Sequence, residues 1–158
     1  MVYLYMGLMA LGILAADQIT KLLTVSNIAI GEEVPVLDGL FHFTYAQNPG
    51  AAFSSFAGMQ WLFALIFVAF AAFIVWEFSK KRWPFTTFDR FCIIAIFAGG
   101  LGNMIDRLRL RYVIDMIEVE FIRFPVFNVA DCFITCGCIL LMVHLVFFNK
   151  AFWKDEKK

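Results

Sequence analysis

Two aspartates, Asp115 and Asp131, lie near the ends of apolar segments in a chain whose composition otherwise suits lipid. A carboxylate at the edge of the hydrocarbon region of a membrane is costly, so it usually has a function. Two carboxyl groups about 3 Å apart cannot both ionise cheaply, so they share a proton and their pKa values separate. One of them then takes a proton from water while the other protonates a carbonyl oxygen or a leaving nitrogen. The pair therefore suggests acid–base hydrolysis, and structural ion pairing with nearby arginines is the alternative.

The composition indicates a membrane protein. The 158 residues fit one domain, and 62% of them are hydrophobic, whereas a soluble domain is about half apolar. Zero formal net charge argues against a nucleic-acid partner. The four cysteines form no CxxC pair and no histidine lies at metal-ligand spacing, so we expect no zinc.

Four segments are long and apolar enough to span a membrane, and they predict an all-α membrane fold with four transmembrane helices. They cover about residues 4–25, 59–78, 88–105 and 131–152. Lysine and arginine concentrate in the second link and in the tail, while the first link contains neither. By the positive-inside rule we expect both termini inside and the links 26–58 and 106–130 outside. The second outer link carries four arginines, which we expect to pair with the acidic residues of the same link.

Both outer links contain short segments with the period-two pattern of a β-strand. Residues 40–45 place Phe41, Phe43 and Tyr45 on one face, and residues 117–122 alternate in a similar way. The pattern predicts two strands in a small extracytoplasmic β-sheet, with an apolar face that rests on lipid or covers a cleft.

Polar residues gather at the predicted outer end of the bundle. Asp17 and Lys21 are spaced i,i+4, so they share a helix face and can pair. The alternative is a self-neutralising pair that reaches to the membrane interface. Asn48 begins an Asn-Pro-Gly turn and offers amide groups to an extended peptide, while Gly50, Ala51 and Ala52 leave room for close approach. A plain turn is the alternative there.

Small residues recur every four positions near the end of the third predicted span, from Ala95 to Asp106. This spacing is typical of close helix packing in lipid, and packing alone explains the glycines. It does not explain Asn103, which together with Asp106 and Arg107 places polar groups at the outer end.

With these residues the chain resembles the lipoprotein signal peptidases of bacteria, also called signal peptidase II. Five segments carry the resemblance and follow one another in the family's order over nearly the whole chain. They are DQITK (17–21), NPGAAF (48–53), GGLGNMIDR (99–107), YVIDMI (112–117) and FNVAD (127–131).

The resemblance implies an intramembrane aspartic endopeptidase of the bacterial cell membrane, with its active site near the outer face. It would cleave a prolipoprotein just before a diacylglyceryl-modified cysteine, without a metal or organic cofactor, and would be a target of globomycin-type inhibitors. Asp115 and Asp131 match the catalytic pair. The other matched positions around the site are Asp17, Lys21, Asn48, Gly50, Asn103, Asp106, Arg107, Asn128 and Ala130. Cys132 departs from the family, which commonly has serine there.

Two other functional classes stay open at this point. Intramembrane acids also mark ion pathways, which favours a small transporter or proton-conducting protein, although four spans without an internal repeat make this weaker. The glycine-rich third span favours a non-catalytic membrane scaffold. For the protease we expect a monomer in contact with membrane lipid, because one chain supplies the whole set of residues.

Overall fold

Four long helices dominate the computed structural model, which describes residues 1–50 and 58–153. Within these ranges α1 spans Val2–Asn27, α2 Gln60–Lys80, α3 Thr87–Leu110 and α4 Val129–Val143. A π-helical turn, His144–Phe148, continues α4, and a short 3-10 helix follows at Lys150–Trp153. All four long helices have the length and apolar composition needed to cross a membrane, which confirms the predicted fold class.

The predicted spans are right in number and approximate in their ends. Helix α3 continues five residues past the predicted end at residue 105, because Asp106 and Arg107 are buried among other elements instead of ending the helix. Helix α4 begins two residues early, at Val129, where a capping box starts it. Regular α-helix ends at Val143 and gives way to the π-helical turn, within the span that we predicted to reach residue 152.

A three-stranded antiparallel sheet lies in the described parts of the two long links. Its strands, in spatial order, are β1 Glu33–Leu37, β2 Phe41–Asn48 and β3 Val113–Val119. Strand β2 confirms the first predicted strand. The second prediction was wrong in its bounds, since β3 begins four residues earlier and Phe121 lies outside it. Residues 113–116 are buried on both faces of the sheet, so they lack the alternation on which the prediction depended.

The sheet is amphipathic. Val34, Phe43 and Ile117 are cross-strand neighbours and form an apolar face, on which Val34 and Phe43 are each 37% exposed. On the other face His42 lies between two carboxylates, with Nε2 3.1 Å from Glu118 Oε2 and Nδ1 3.2 Å from Glu120 Oε1. These contacts link β2 to the end of β3, the two strands that also carry residues of the site.

Helix α3 is the centre of the bundle and packs against α1, α2 and α4. Its glycines allow this close packing. A Cβ atom on Gly102 would collide with the carboxylate of Asp17, and one on Gly99 would lie 2.6 Å from the carbonyl oxygen of Ala130. Helix α2 packs mainly on α3, which leaves a cavity between α2 and α4.

Candidate active site

Asp115 is held in the middle of β3 by two asparagine side chains. Asn48, at the end of β2, donates from Nδ2 to Asp115 Oδ2 at 3.0 Å. Asn128 donates from Nδ2 to Asp115 Oδ1 at 2.6 Å. The pairing of β2 with β3 places Asn48 opposite Val113, which explains how residues 67 positions apart meet. Asp115 is only 2% exposed, so these amides replace the water that a carboxylate normally binds.

Asp131 is positioned by the capping box that begins α4. The side chain of Asn128 accepts from the N–H of Asp131 at 3.0 Å, and Asp131 Oδ2 accepts from the N–H of Asn128 at 3.2 Å. Such reciprocal bonds are typical of helix N-termini. Asp131 Oδ1 accepts from Nδ2 of Asn103, a residue of α3, at 2.7 Å. The local sequence at the start of α4 and a long-range partner therefore fix this side chain together.

Asn128 connects the two carboxyl groups by hydrogen bonds. Its Nδ2 binds Asp115, while its backbone N–H and Oδ1 bind Asp131. Each of the four carboxyl oxygens of the pair accepts a hydrogen bond from an amide N–H. Amides hold these oxygens without neutralising them, so the pair keeps the capacity to bind and release a proton. Within the described parts of the chain no arginine forms a salt bridge with either aspartate, so the alternative of ion pairing is wrong.

Burial raises the pKa of Asp115 to about 6. The negative charge of Asp131 raises the pKa further. The hydrogen bonds from Asn48 and Asn128 and the positive charge of Lys21 lower it in part. With a pKa of about 6 this carboxyl is mostly ionised at neutral pH but takes up a proton far more readily than an ordinary aspartate, which suits general acid–base chemistry.

Both aspartates line a cavity of about 860 Å³ between α2, α3 and α4. One end of the cavity is polar, with Asn48, Asn103 and Arg107 beside the carboxyls. The rest is mainly apolar and follows one face of α2 through Phe63, Ile66, Phe67 and Phe70. The cavity can therefore hold an apolar chain with one end at the carboxyl pair.

A buried ion network lies behind the pair. Lys21 Nζ is 3.0 Å from Asp17 Oδ2, 2.9 Å from Asp106 Oδ2 and 2.9 Å from Asn103 Oδ1. This confirms the predicted pairing of Asp17 with Lys21. The alternative, a pair that reaches to the interface, is wrong because Asp17 is fully buried and Lys21 is 2% exposed. Asp17 Oδ1 also accepts from the backbone N–H of Ala130 at 3.1 Å.

Arg107 holds the segment that follows β2. Its Nη2 donates to the carbonyl oxygen of Gly50 at 2.7 Å, and its guanidinium lies 4.3 Å from the ring centre of Phe63. The N–H of Gly50 donates to Asn48 Oδ1 at 3.0 Å, so Asn48 both turns the chain and binds Asp115. The remaining residues of the predicted NPGAAF segment, Ala51 to Phe53, lie outside the described residues.

The predicted pairing of the link arginines with local acids was wrong. Among the residues that the structure describes, none of these arginines lies within 4 Å of a carboxylate. Arg107 binds backbone carbonyl groups and a phenylalanine ring instead. The four arginines are Arg107, Arg109, Arg111 and Arg123.

Comparison with known proteins identifies the family. Residues 9–147 match the sequence profile of the family described as Signal peptidase (SPase) II. The chain belongs to the signal peptidase II family. It is 41% identical over 144 residues to the lipoprotein signal peptidase of Streptococcus pyogenes serotype M1, covering 91% of this chain and 90% of that relative. The lipoprotein signal peptidase of serotype M4 (strain MGAS10750) is 40% identical over the same length.

Two solved structures of bacterial membrane enzymes, obtained by the in meso method, are similar in fold to this signal peptidase II chain. The 2.3 Å structure has a TM-score of 0.86 and 31% sequence identity, and covers 98% of this chain and 93% of its own. The 1.9 Å structure has a TM-score of 0.82 and 31% identity, with coverages of 92% and 94%. Membership of a peptidase family favours the protease over the transporter and scaffold alternatives.

Two features of this signal peptidase II chain go beyond the residues predicted from the sequence. Gln18 donates from Nε2 to the carbonyl oxygen of Gly102 at 3.3 Å and to Asp106 Oδ1 at 3.4 Å, so it belongs to the ion network. Its place inside the DQITK segment was the available signal. Phe63 has no such signal, because its contact with Arg107 depends on how α2 packs.

Cys132, in place of the family's usual serine, is a free thiol that lines the cavity next to Asp131.

Proposed function

We propose that this protein is an aspartic endopeptidase that removes the signal peptide of prolipoproteins, with Asp115 and Asp131 as its catalytic pair. The observation that carries the proposal is the convergence of the two carboxyls on one cavity, bridged by Asn128 and held by amide donors. The family's peptidase activity and the near-neutral pKa of Asp115 support it.

The substrate that best fits the cavity is a prolipoprotein whose cysteine carries a diacylglyceryl group. Its lipid chains stay in the bilayer, and the apolar wall along α2 suits an apolar segment of the substrate. The peptide bond just before the cysteine then lies at the polar end, beside the aspartates. It must be extended there, because helical hydrogen bonds would hide its carbonyl group.

In the proposed reaction the pair holds one proton. The ionised carboxyl takes a proton from water as the water oxygen bonds to the carbonyl carbon, and the protonated carboxyl donates its proton to the carbonyl oxygen. Collapse of the tetrahedral intermediate breaks the C–N bond. The leaving nitrogen takes the proton that the pair holds, and a hydroxyl group of the intermediate gives its proton to the pair as the new carboxyl group forms. The pair therefore returns to its singly protonated state. The two groups titrate as a unit, so neither is assigned a fixed role.

The other matched residues have supporting roles in this proposal. Asn48 and Asn128 hold Asp115, and Asn103 and Asn128 hold Asp131. Arg107 lines the cavity through which the substrate backbone would pass, and it also fixes the backbone at Gly50. The matched residues that belong to the network behind the pair are Asp17, Lys21, Asp106 and Ala130.

We further propose the membrane placement and the partners. The sheet and the aspartates lie at the outer face of the bacterial cell membrane, with both termini cytoplasmic, because positive charge concentrates in the α2–α3 link. The apolar face of the sheet then rests on lipid. Residues 1–158 act as one domain and as a monomer, and globomycin-type inhibitors compete for the same cavity.

The test is cleavage of a synthetic diacylglyceryl-modified prolipoprotein by purified protein. We expect Asp115→Asn and Asp131→Asn to lower turnover by at least about 100-fold, the range expected for the loss of an acid–base group. Asp38→Asn is the matched control, because Asp38 is exposed in the turn between β1 and β2. Wild-type turnover by both folded active-site variants would refute the proposal.

A further inference from the structure

Asn103 stands between the catalytic pair and the buried network, and its side-chain amide can take two orientations. In the observed one, Nδ2 donates to Asp131 Oδ1 at 2.7 Å. Oδ1 accepts from Lys21 Nζ at 2.9 Å and from Asn128 Nδ2 at 3.1 Å. A half-turn of the amide would place its oxygen against the carboxylate of Asp131 and its NH₂ group against two donors.

Lys21 makes that reversal unfavourable. An ammonium has three donors and no acceptor, so in every rotation it favours an oxygen of Asn103 over its NH₂ group. The charge cannot move to water, because Lys21 is 2% exposed and bonds to two buried carboxylates.

The two carboxylate partners of Lys21 connect it to the backbone next to each catalytic residue. Asp106 Oδ2 accepts from the backbone N–H of Ile114 at 3.2 Å, and Ile114 immediately precedes Asp115. Asp17 Oδ1 accepts from the backbone N–H of Ala130 at 3.1 Å, and Ala130 immediately precedes Asp131. Through these two carboxylates the ammonium of Lys21 connects α1 to the backbone immediately before Asp115 and Asp131.

We infer that Lys21 is a positioning residue of the reaction, which fixes the amide of Asn103 and the spacing of the two aspartates without touching substrate. The inference rests on the proposed function. Lys21 does not line the cavity that contains the pair, so its removal should leave substrate binding intact and impair the chemical step. A misplacement of about 1 Å lowers rates by roughly 100-fold, which sets the expected size of the effect.

The test measures kcat and KM for Lys21→Met on the lipidated peptide. We expect kcat to fall about 100-fold with KM near its wild-type value. A stability effect alone would also lower activity, because Asp17 and Asp106 lose their counter-ion. A second variant, Lys21→Met/Asp17→Asn/Asp106→Asn, removes the charges together, and its asparagine oxygens can still accept from Ala130 and Ile114.

We expect the triple variant to recover the unfolding temperature but to keep the low kcat, since the ammonium on Asn103 is still missing. Wild-type kcat in either variant, or a loss confined to KM, would overturn the inference. A triple variant that does not fold would also overturn it, because Lys21 would then serve folding. A different outcome would refute the proposed function itself, namely that Asp115→Asn and Asp131→Asn remain active.

Discussion

The raised pKa of Asp115 predicts a stability cost that depends on pH and that Asp115→Asn abolishes. The ordinary value is 3.8 and the folded value is about 6, so the folded protein binds this proton more tightly than the unfolded chain does. At 1.36 kcal/mol per pKa unit the difference corresponds to about 3 kcal/mol. The sign follows from linkage. Tighter proton binding by Asp115 stabilises the folded state fully below pH 3.8, and this stabilisation is lost as the pH rises through about 6.

The assay is thermal unfolding of the purified protein in detergent from pH 4 to pH 8, wild type against Asp115→Asn. Other carboxylates titrate in both proteins, so the difference between the two Tm values isolates Asp115. The new NH₂ group would face an amide donor of Asn48 or Asn128, which destabilises the variant by about 1–3 kcal/mol at every pH.

Relative to wild type, the Tm of the variant should rise with pH by about 6–12 °C, because 1 kcal/mol shifts the Tm of a chain of this size by about 2–4 °C. Asp38→Asn, with its exposed side chain, should show no such trend. A Tm difference between Asp115→Asn and wild type that stays constant across the range would refute the reasoning, because Asp115 would then titrate alike in both states.

The remaining predictions concern packing and the sheet. Gly102→Ala should lower the free energy of unfolding by about 1–3 kcal/mol, because its Cβ meets a buried carboxylate, whereas Gly12→Ala, whose Cβ meets nothing within 4 Å, should not; denaturant titration of both checks this. Burial lowers the pKa of His42, but its hydrogen bonds with two glutamates outweigh this and raise it. The contacts of His42 should therefore stabilise the sheet below pH 6.5 and weaken as the pH rises through the raised pKa, so protection factors of β2 and β3 amides should fall in wild type and not in His42→Gln.

The sequence predicted the elements whose pattern is local. Four apolar runs identified the four helices, and the alternation at residues 40–45 identified β2. Strand β1 was not predicted, because its five residues are all exposed and include Pro35, which marks an edge strand. The start of β3 was missed because both faces of residues 113–116 are covered.

The members of the candidate site were predictable, but their contacts were not. Residue type and place in the apolar segments singled out Asp115 and Asp131, whereas Asn128 and Ala130 came from the family resemblance alone. The double contact of Asn128 with both aspartates depends on the angle at which β3 approaches the start of α4, which no local pattern encodes. The link from Lys21 to Asn103 joins residues 82 positions apart and follows from how α1 packs on α3.

The central claim is that Asp115 and Asp131 act as one unit, and the most direct measurement compares the cleavage rate of the double variant Asp115→Asn/Asp131→Asn with that of each single variant. Groups that act together lose their whole contribution when either is removed. We predict that the double variant cleaves the lipidated peptide at the same residual rate as each single variant. Single variants that retain much of the wild-type rate, with losses that multiply in the double variant, would contradict the account.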